Sequence, residues 1–317
     1  MHDSSRTGWD MIDSMFPLSI FMLLAGFLAG SIGAFLVFGA KTIILMTILM
    51  WLGMFRILPL VQAIERIIHD LFPAEVEQLE NNIRESFRVE GTVDKEPAIY
   101  LFHPHGLFSM SHTLHIMTSL TNWPVREIKG AGLDFLFILP ICNEITKEID
   151  CVPAKYKEMK TVLTHNKSLS VVAGGIEEIF EAKPGRMRLA ISRRRGIFKM
   201  ALETGTAVVP VLTYGENELY QPVDWGWLDS LNRRLVPLGF CFPIPTLDSC
   251  RRWMRLTDKP FKTPLRTVIG PRLAVEKVAG PVREAAVVAL RERYFTAVRE
   301  LYAKTRPLDY AEELEIL

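Results

Sequence analysis

The distribution of apolar residues divides the chain into a membrane-like N-terminal segment and a longer mixed body. Residues 14–40 are 27 consecutive uncharged positions rich in Phe, Leu, Ile and Ala, and about 20 apolar residues can span a bilayer as a helix. A second apolar run covers residues 42–55 and continues past Arg56 to position 61. Backbone groups in hydrocarbon must bond internally, so both runs should be helical. The pattern predicts a two-helix transmembrane hairpin over residues 16–61, behind a tail at 1–15, with both chain ends on one side.

A cleaved signal peptide is the main alternative to this hairpin, and a buried pair of soluble helices is another. A signal peptide has an apolar core of about 7 to 15 residues behind a basic start. Here the apolar run is longer and follows Asp3, Asp10 and Asp13. The pattern therefore favours a retained anchor.

Residues 62–97 are predicted to connect the hairpin to the body. Between 57 and 72, apolar residues such as Ile64, Ile67 and Leu71 recur at helical spacing with charges between them. This spacing suits a helix lying on a membrane interface and an ordinary surface helix equally well. The charged residues at 75–96 predict a solvated connector.

The body, residues 98–317, alternates β-rich runs with helical stretches, which is typical of an α/β domain with a mostly parallel sheet. Three strands are predicted, at 98–102, 169–173 and 206–213. Two helices are predicted, at 156–165 and at 196–203, where Gly205 follows as a C-cap. An apolar stripe over 287–301 is interpreted as core packing without chemistry. Open α/β sheets bind ligands at the carboxyl ends of their strands, so chemistry is expected where the three strands end.

Composition narrows the class of protein. Hydrophobic residues make up 49% and charged residues 23%, which excludes a disordered, collagen-like or mucin-like chain. With 37 basic and 36 acidic residues the net charge is +1, so no global field attracts nucleic acid. The four cysteines form no CxxC pair, which argues against a zinc finger or a disulfide scaffold and favours a reducing compartment.

Two histidines follow the first predicted strand, in the sequence His103-Pro104-His105-Gly106. Proline fixes one backbone angle and glycine allows a ligand to approach closely, so this turn can present an imidazole in a defined direction. Neutral histidine can take a proton from an alcohol near neutral pH. The alternative is a pair of capping or core histidines. A metal site that adds His112 and His115 is weaker, because no HExxH-type spacing is present.

Five arginines lie within ten residues, with no acidic residue among them: Arg186, Arg188, Arg193, Arg194 and Arg195. Guanidinium groups bind phosphates through paired hydrogen bonds, and the helix predicted at 196 adds a favourable dipole at its N-terminus. CoA phosphates, RNA, anionic lipid headgroups and a merely solvated face all fit this pattern.

Four blocks occur in order along the body: HPHG at 103–106, GGIEE at 174–178, RRGIFKMALETGTAVVPV at 194–211 and YGENE at 214–218. Together they resemble the type-2 diacylglycerol acyltransferase family, which includes monoacylglycerol acyltransferases and wax synthases. The resemblance covers roughly residues 96–275 and implies a glycerolipid-acyltransferase-like α/β fold. Family members transfer an acyl group from acyl-CoA to a lipid hydroxyl, at the endoplasmic reticulum membrane and lipid droplets, with the active site facing the cytosol.

The resemblance also implies the site residues. It maps the catalytic histidine to His105, with His103 in support and Glu178 as the carboxylate partner. Contacts to substrate or CoA map to Gly106, Arg194, Arg195, Gly196, Glu216 and Asn217. Related glycerophosphate acyltransferases carry an aspartate where this chain has Met110, so the carboxylate must come from elsewhere, with Glu216 as the second candidate.

The expected reaction is direct attack of a lipid hydroxyl, activated by His105, on the acyl-CoA thioester. No acyl-enzyme is expected, because no GxSxG nucleophile motif occurs. Backbone N–H groups around Gly106 are the hypothesis for the oxyanion donors.

The expected partners are acyl-CoA as co-substrate, a neutral lipid acceptor (diacylglycerol first) and the bilayer, with no cofactor, metal or nucleic acid; a homo-oligomer is left open. Alternatives are a monoacylglycerol or fatty-alcohol acyltransferase, a non-catalytic lipid-binding protein of the same fold, and a metal-dependent lipid hydrolase.

Overall fold

The computed structural model describes residues 66–317 except 68, 94–95, 118–122, 124–127, 139–142, 144–145, 147–148, 239–240 and 250–263. The predicted tail and hairpin, residues 1–61, lie outside the described residues. Within the described part of the chain, no helix has both the length and the apolar character needed to cross a bilayer.

The domain is built on a seven-stranded sheet with the order β1-β8-β7-β2-β5-β3-β4. Its described strands are β1 (Phe87–Glu90), β2 (Ala98–His103), β3 (Ile128–Gly132), β4 (Val152–Pro153), β5 (Ser168–Val172), β7 (Ala207–Tyr214) and β8 (Leu265–Ile269). All neighbouring pairs are parallel except β7 and β8. A separate parallel pair joins β6 (Arg188–Leu189) to β9 (Glu315–Ile316). The predicted α/β class with a mostly parallel sheet is confirmed.

The described helices with assigned bounds are α1 (Pro73–Ser86), α2 (Met110–Met117), α3 (Tyr156–Thr164), α4 (Ile176–Ile179), α5 (Gly196–Thr204), α6 (Glu216–Leu219), α7 (Gly226–Leu235) and α8 (Glu284–Thr305). The helices predicted at 156–165 and 196–203 are confirmed as α3 and α5. Gly205 ends α5 at a φ of 75°, the left-handed conformation expected of its C-cap.

Helices cover both faces of the sheet because the central strands are apolar on both sides. All six residues of β2 are buried, as expected of a strand inside a parallel sheet. Ile99 and Leu101 face a core shared with α3, α5 and α8. Tyr100 and Phe102 point to the opposite face, where they contact Trp123. The same alternation places the next residue, His103, on the α8 side.

The segment expected to be a solvated connector is different in the structure. Residues 75–96 contain most of α1 and the whole of β1, which pairs in parallel with β8. Phe87 is buried at 3% exposure, so burial of this side chain fixes the strand to the sheet despite the surrounding charges. The sheet therefore begins before residue 98. Just upstream, the described residues between 66 and 71 are helical, and Ile67 and Leu71 are exposed.

Candidate active site

Three strand ends meet at one edge of the sheet. Strand β2 leads into the histidine turn, β5 leads through Gly174 and Gly175 into α4, and β7 leads through Gly215 into α6. Because β2 lies between β5 and β7 and all three are parallel, their carboxyl ends are adjacent. The histidine turn, Glu178 and Glu216, which the sequence analysis predicts to belong to the site, therefore lie at one edge of the sheet.

Glu178 on α4 contacts three groups at this edge of the sheet. Its carboxylate is 1% exposed and accepts hydrogen bonds from the backbone N–H groups of His105, at 2.8 Å, and Ala190, at 3.1 Å. Oε1 also lies 3.4 Å from Nδ1 of His103, without the alignment of a hydrogen bond. The closeness depends on Gly174, because a Cβ there would lie 1.9 Å from the Glu178 carboxyl carbon. Glu178 therefore fixes the backbone of the histidine turn.

His103 is fully buried and is the last residue of β2, directly before the rest of the histidine turn. Its Nε2 lies 2.8 Å from the hydroxyl of Tyr294 on α8. Burial raises the pKa of Tyr294 well above its ordinary value, so this phenol stays protonated and its O–H can donate a hydrogen bond to Nε2 of His103. The supporting role of His103 stays a prediction.

His105 is only partly buried. Its Nδ1 lies 3.0 Å from the Gly106 carbonyl, which can only accept, so Nδ1 carries the proton and Nε2 has the free lone pair. The hydroxyl of Ser109 lies 3.1 Å from Nε2. Burial lowers the pKa of His105, while the Gly106 carbonyl and the Glu178 carboxylate oppose this shift. The ring is thus neutral near pH 7, the state that a general base needs.

Glu216 is the second buried carboxyl group of the site, at 1% exposure. It accepts hydrogen bonds from the N–H groups of Met110, at 2.7 Å, and Ser111, at 2.9 Å, and so caps the N-terminus of α2. Burial raises its pKa to about 7, although those hydrogen bonds lower it in part. Gly106 has a φ of 59°, and a Cβ there would lie 2.7 Å from Cγ of Glu216. Glu216 therefore connects the N-terminus of α2 to Gly106 of the histidine turn.

Asn217, the neighbour of Glu216, is buried and turns toward the arginine-rich loop. Its Nδ2 donates to the Arg186 carbonyl at 3.0 Å. In the described part of the structure, its Oδ1 has no hydrogen-bond partner. The observed contact is thus structural, a link between α6 and the loop before β6.

The structure separates the two arginines predicted to bind CoA. Arg194 donates to the Gly174 carbonyl at 2.7 Å and lies 3.2 Å from Glu177, so it braces the loop that leads to Glu178. Arg195 is exposed and pairs with Glu284 at 2.9 Å. Together with Gly196, the first residue of α5, Arg195 and Glu284 line an open cleft of about 340 Å³, whose other lining residues are Tyr156, Lys199 and Val287.

His112 and His115 lie on α2 and bond hydroxyl groups of the sheet. His112 bonds the Ser170 hydroxyl at 3.1 Å and His115 bonds the Thr267 hydroxyl at 2.7 Å. Burial lowers the pKa of each to about 3, so both are neutral packing residues. Among the described residues, no group of histidine, cysteine and carboxylate side chains has the arrangement of a metal site.

Two residues of the site were missed by sequence reasoning. Tyr294 belongs to the apolar stripe of α8, and its burial confirms the prediction of core packing, but its hydroxyl also reaches His103. Ser109 lies directly after the HPHG block, and its φ of 50° is unusual for a residue other than glycine. Proximity to HPHG was the available signal for Ser109, whereas the sequence carried none for Tyr294.

Comparison with known proteins gives a consistent result. The family model described as diacylglycerol acyltransferase matches residues 88–313. Diacylglycerol O-acyltransferase 2A of Umbelopsis ramanniana is 26% identical over 69% of this chain and 66% of the relative. 2-acylglycerol O-acyltransferase 1 of Bos taurus is 28% identical over 67% of each chain, and diacylglycerol O-acyltransferase 2 of Xenopus tropicalis is 25% identical over 80% of this chain and 72% of the relative.

A solved structure, the 1-acyl-sn-glycerophosphate acyltransferase PlsC from Thermotoga maritima, is similar with a TM-score of 0.39 and 18% identity, covering 72% of this chain and 80% of that one. The family model covers well over half of the sequence, which confirms the resemblance predicted from the four motif blocks. The chain is an acyltransferase and belongs to the diacylglycerol acyltransferase family.

Proposed function

We propose that this protein is an acyl-CoA-dependent O-acyltransferase that converts diacylglycerol to triacylglycerol, with His105 as the general base. The observation that carries the proposal is the state of the His105 ring. Nδ1–H is bound to the Gly106 carbonyl, the His105 backbone is fixed by Glu178, and the residue is partly exposed. A neutral imidazole held in one direction, with a basic Nε2, is suited to take a proton from an alcohol.

The proposed reaction needs no cofactor, because both substrates bring the atoms that react. His105 Nε2 takes the proton of the lipid hydroxyl while the alkoxide oxygen bonds to the thioester carbonyl carbon. The tetrahedral intermediate then collapses, the carbon–sulfur bond breaks, and the imidazolium returns the proton to the CoA thiolate. General base catalysis of this kind typically contributes about 10²–10⁴-fold.

Glu178 is proposed to position His105 through its backbone and not through the ring. The hydrogen bond runs from the His105 N–H to Oε2 of Glu178, whereas the ring nitrogen that a carboxylate would normally hold is bound to the Gly106 carbonyl. Charge on the carboxylate still favours the imidazolium that forms in the transition state, since Glu178 opposes the lowering of the His105 pKa. One residue thus supplies both alignment and charge.

Acyl-CoA is proposed to bind with its phosphates at the open cleft beside Arg195 and Gly196. The cleft lies at the N-terminus of α5 and includes the cations Arg195 and Lys199. Phosphate oxygens can pair with a guanidinium group and with free N–H groups at a helix start.

The bilayer is proposed as the source of the acceptor, at the endoplasmic reticulum membrane or on lipid droplets, with both chain ends cytosolic. Moving a 16-carbon chain through water would cost roughly 12 kcal/mol at about 0.8 kcal/mol per CH₂. Support comes from the uncharged residues 14–40 of the sequence and from the exposed, stacked rings of Trp225 and Trp227, since tryptophan favours membrane interfaces.

A monoacylglycerol acceptor is the second candidate, because the Bos taurus relative is named a 2-acylglycerol O-acyltransferase. Fatty alcohol is a third candidate acceptor. The same base would take its proton, since the pocket and not the base selects the alcohol.

The decisive test is an assay of membranes with a labelled long-chain acyl-CoA and a panel of diacylglycerol, monoacylglycerol and fatty alcohol. Wild type should form triacylglycerol, and His105→Ala should lose activity by about 10²–10⁴-fold. His165→Ala is the matched control, because this exposed histidine directly follows α3 and its ring bonds the Thr161 carbonyl. Equal labelling by wild type and His105→Ala would overturn the proposed base, and absence of any product would favour a non-catalytic lipid-binding protein.

A further inference from the structure

Ser109 makes a contact with His105 that neither the motifs nor the comparisons assign. Its hydroxyl lies 3.1 Å from Nε2, the ring nitrogen that would take the acceptor's proton. The side chain is 9% exposed. A residue in direct contact with the reacting atom of a base can alter both its direction and its proton affinity.

The direction of this hydrogen bond follows from the other ring nitrogen. The Gly106 carbonyl can only accept, so Nδ1 of His105 is protonated and Nε2 has the lone pair. The Ser109 hydroxyl must therefore donate to Nε2. A donor at that position stabilises the neutral ring and opposes protonation.

The backbone of Ser109 fixes its hydroxyl in place. The Ser109 N–H donates to the His105 carbonyl at 2.9 Å, and the Ser109 carbonyl accepts from Thr113 at 2.9 Å. These bonds close one turn between the histidine and α2. Ser109 has a φ of 50°, which glycine would adopt with less strain, and strained residues of this kind concentrate at functional sites. The chain thus keeps a hydroxyl where its backbone favours glycine.

We propose that Ser109 is a positioning residue of the acyl transfer: it holds Nε2 of His105 as the basic nitrogen in the resting enzyme, and its hydroxyl occupies the position that the acceptor hydroxyl takes during the reaction. The inference rests on the proposed function. The acceptor must present its O–H to the same lone pair on Nε2. The hydrogen bond from Ser109 therefore has to break before the proton is transferred. No bond to Ser109 forms or breaks apart from this hydrogen bond.

The other titratable groups near His105 act at a distance from Nε2. Glu178 on α4 binds the backbone N–H and favours the charged ring, whereas His112 on α2 is neutral because burial lowers its pKa to about 3. Glu216 on α6 binds the amides of Met110 and Ser111. These groups set the charge around the ring, whereas Ser109 contacts the nitrogen that reacts.

The test is the pH profile of kcat/KM for the acceptor in Ser109→Ala and Ser109→Gly, since this ratio reports the pKa of the base in the free enzyme. Loss of the donor should shift the acid limb of the kcat/KM profile to higher pH by about half to one unit. It should also lower kcat by roughly two- to tenfold, as expected for one hydrogen bond. Both variants should behave alike, because both lack the hydroxyl. Ser230→Ala on α7, whose hydroxyl bonds the Gly226 carbonyl, is the control and should leave the profile unchanged.

Three results would overturn the inference. They are an unchanged profile in both variants, a shift of the acid limb to lower pH, and wild-type behaviour of Ser109→Gly beside a defective Ser109→Ala, which would mean that only backbone strain matters. Failure of the proposed function has a different signature, because there His105→Ala itself would retain activity. If His105→Ala is inactive while both Ser109 variants match wild type, this inference alone is wrong.

Discussion

The Tyr294 hydroxyl lies 2.8 Å from Nε2 of His103 and connects the long C-terminal helix to the histidine turn. Burial keeps the phenol protonated, so its O–H can donate to this nitrogen, and Nδ1 of the same ring lies 3.4 Å from Oε1 of Glu178. Glu178 in turn accepts the N–H of His105. A buried series of polar groups thus runs from α8 to the proposed base.

Removing the Tyr294 hydroxyl should destabilise the protein and misalign the turn. In Tyr294→Phe the buried Nε2 of His103 loses its partner, which costs about 1–3 kcal/mol of unfolding free energy. Denaturant unfolding of the purified protein in detergent measures this loss, and kcat should fall as well.

Tyr302→Phe is the matched control on the same helix. Its hydroxyl bonds the Glu312 backbone carbonyl, which is remote in sequence from the turn, so kcat should stay near wild type. Equal losses of kcat in Tyr294→Phe and Tyr302→Phe would show that the contact with His103 has no particular role.

Glu178→Gln should impair catalysis much more than it alters the shape of the site. The carboxylate accepts from two backbone N–H groups, on His105 and Ala190, and an amide can accept on only one side. One donor would then face the amide NH₂, and the unsatisfied pair costs about 1–3 kcal/mol. We expect kcat to fall by at least tenfold, since the negative charge near His105 is also lost.

Glu177→Gln is the corresponding control, because Glu177 lies on the same helix but is 44% exposed and pairs with Arg194. Kinetic measurement should give near-wild-type kcat for this variant. A Glu178→Gln enzyme with unchanged kcat and pH profile would contradict the role assigned to Glu178.

The parts of the site that the sequence predicted are those that lie next to strand ends. The HPHG, GGIEE and YGENE blocks each follow a strand whose apolar pattern is readable, and parallel pairing then brings Glu178 to the His105 backbone. The sequence cannot give the depth of a side chain in the fold. Tyr294 has the same helical spacing as its apolar neighbours, so its hydroxyl was not distinguishable from core.

The arginine run shows the opposite case, where neighbours in sequence separate in space. Arg194 turns back toward Gly174, while Arg195 faces Glu284 on α8. Adjacent residues around a helix start point in different directions, so the charge count alone did not show which arginine braces the site. Likewise, the charge pattern at 75–96 concealed the burial of Phe87 in β1.

Glu216 should make stability depend on pH in the acidic range. Burial raises its folded-state pKa from 4.5 to about 7. Below about pH 4.5 the carboxyl is protonated in both states; as the pH rises to 7, the unfolded chain loses this proton first, so the folded state becomes less stable. The loss is about 3 kcal/mol at most.

Glu216→Gln does not titrate and should therefore remove this slope. The measurement is the unfolding free energy of both proteins at several pH values between 4.5 and 7.5. The stability of wild type relative to Glu216→Gln should fall as the pH rises, whereas exposed Glu158→Gln on α3 should parallel wild type. A difference that grows in the other direction would mean that the carboxylate form is the one favoured by folding.

Gly174→Ala should inactivate the enzyme because there is no room for a methyl group. A Cβ at this position would lie 1.9 Å from the carboxyl carbon of Glu178, so the carboxylate must move away from the His105 N–H. Gly226→Ala at the start of α7 is the control, since nothing lies within 4 Å of its Cβ. Acyl transfer by Gly174→Ala at the wild-type rate would show that the Glu178 contact is dispensable.

Arg195→Ala should weaken the binding of acyl-CoA without slowing the chemical step. Arg195 is exposed at the cleft on α5 and pairs with Glu284, so its replacement removes an accessible cation but no buried contact. An exposed ionic contact is worth about 0.2–1 kcal/mol, which corresponds to a rise in the KM for acyl-CoA of up to about fivefold, with kcat unchanged.

Arg194→Ala should give the reverse pattern, because Arg194 holds the Gly174 carbonyl ahead of Glu178. Its kcat should fall while the KM for acyl-CoA changes little. Arg299→Ala, an exposed arginine elsewhere on α8, controls for the loss of one surface charge. Salt should raise the KM of wild type more than that of Arg195→Ala, since screening acts on exposed pairs. If Arg195→Ala and Arg299→Ala have the same KM at every salt concentration, CoA phosphates do not bind at this cleft.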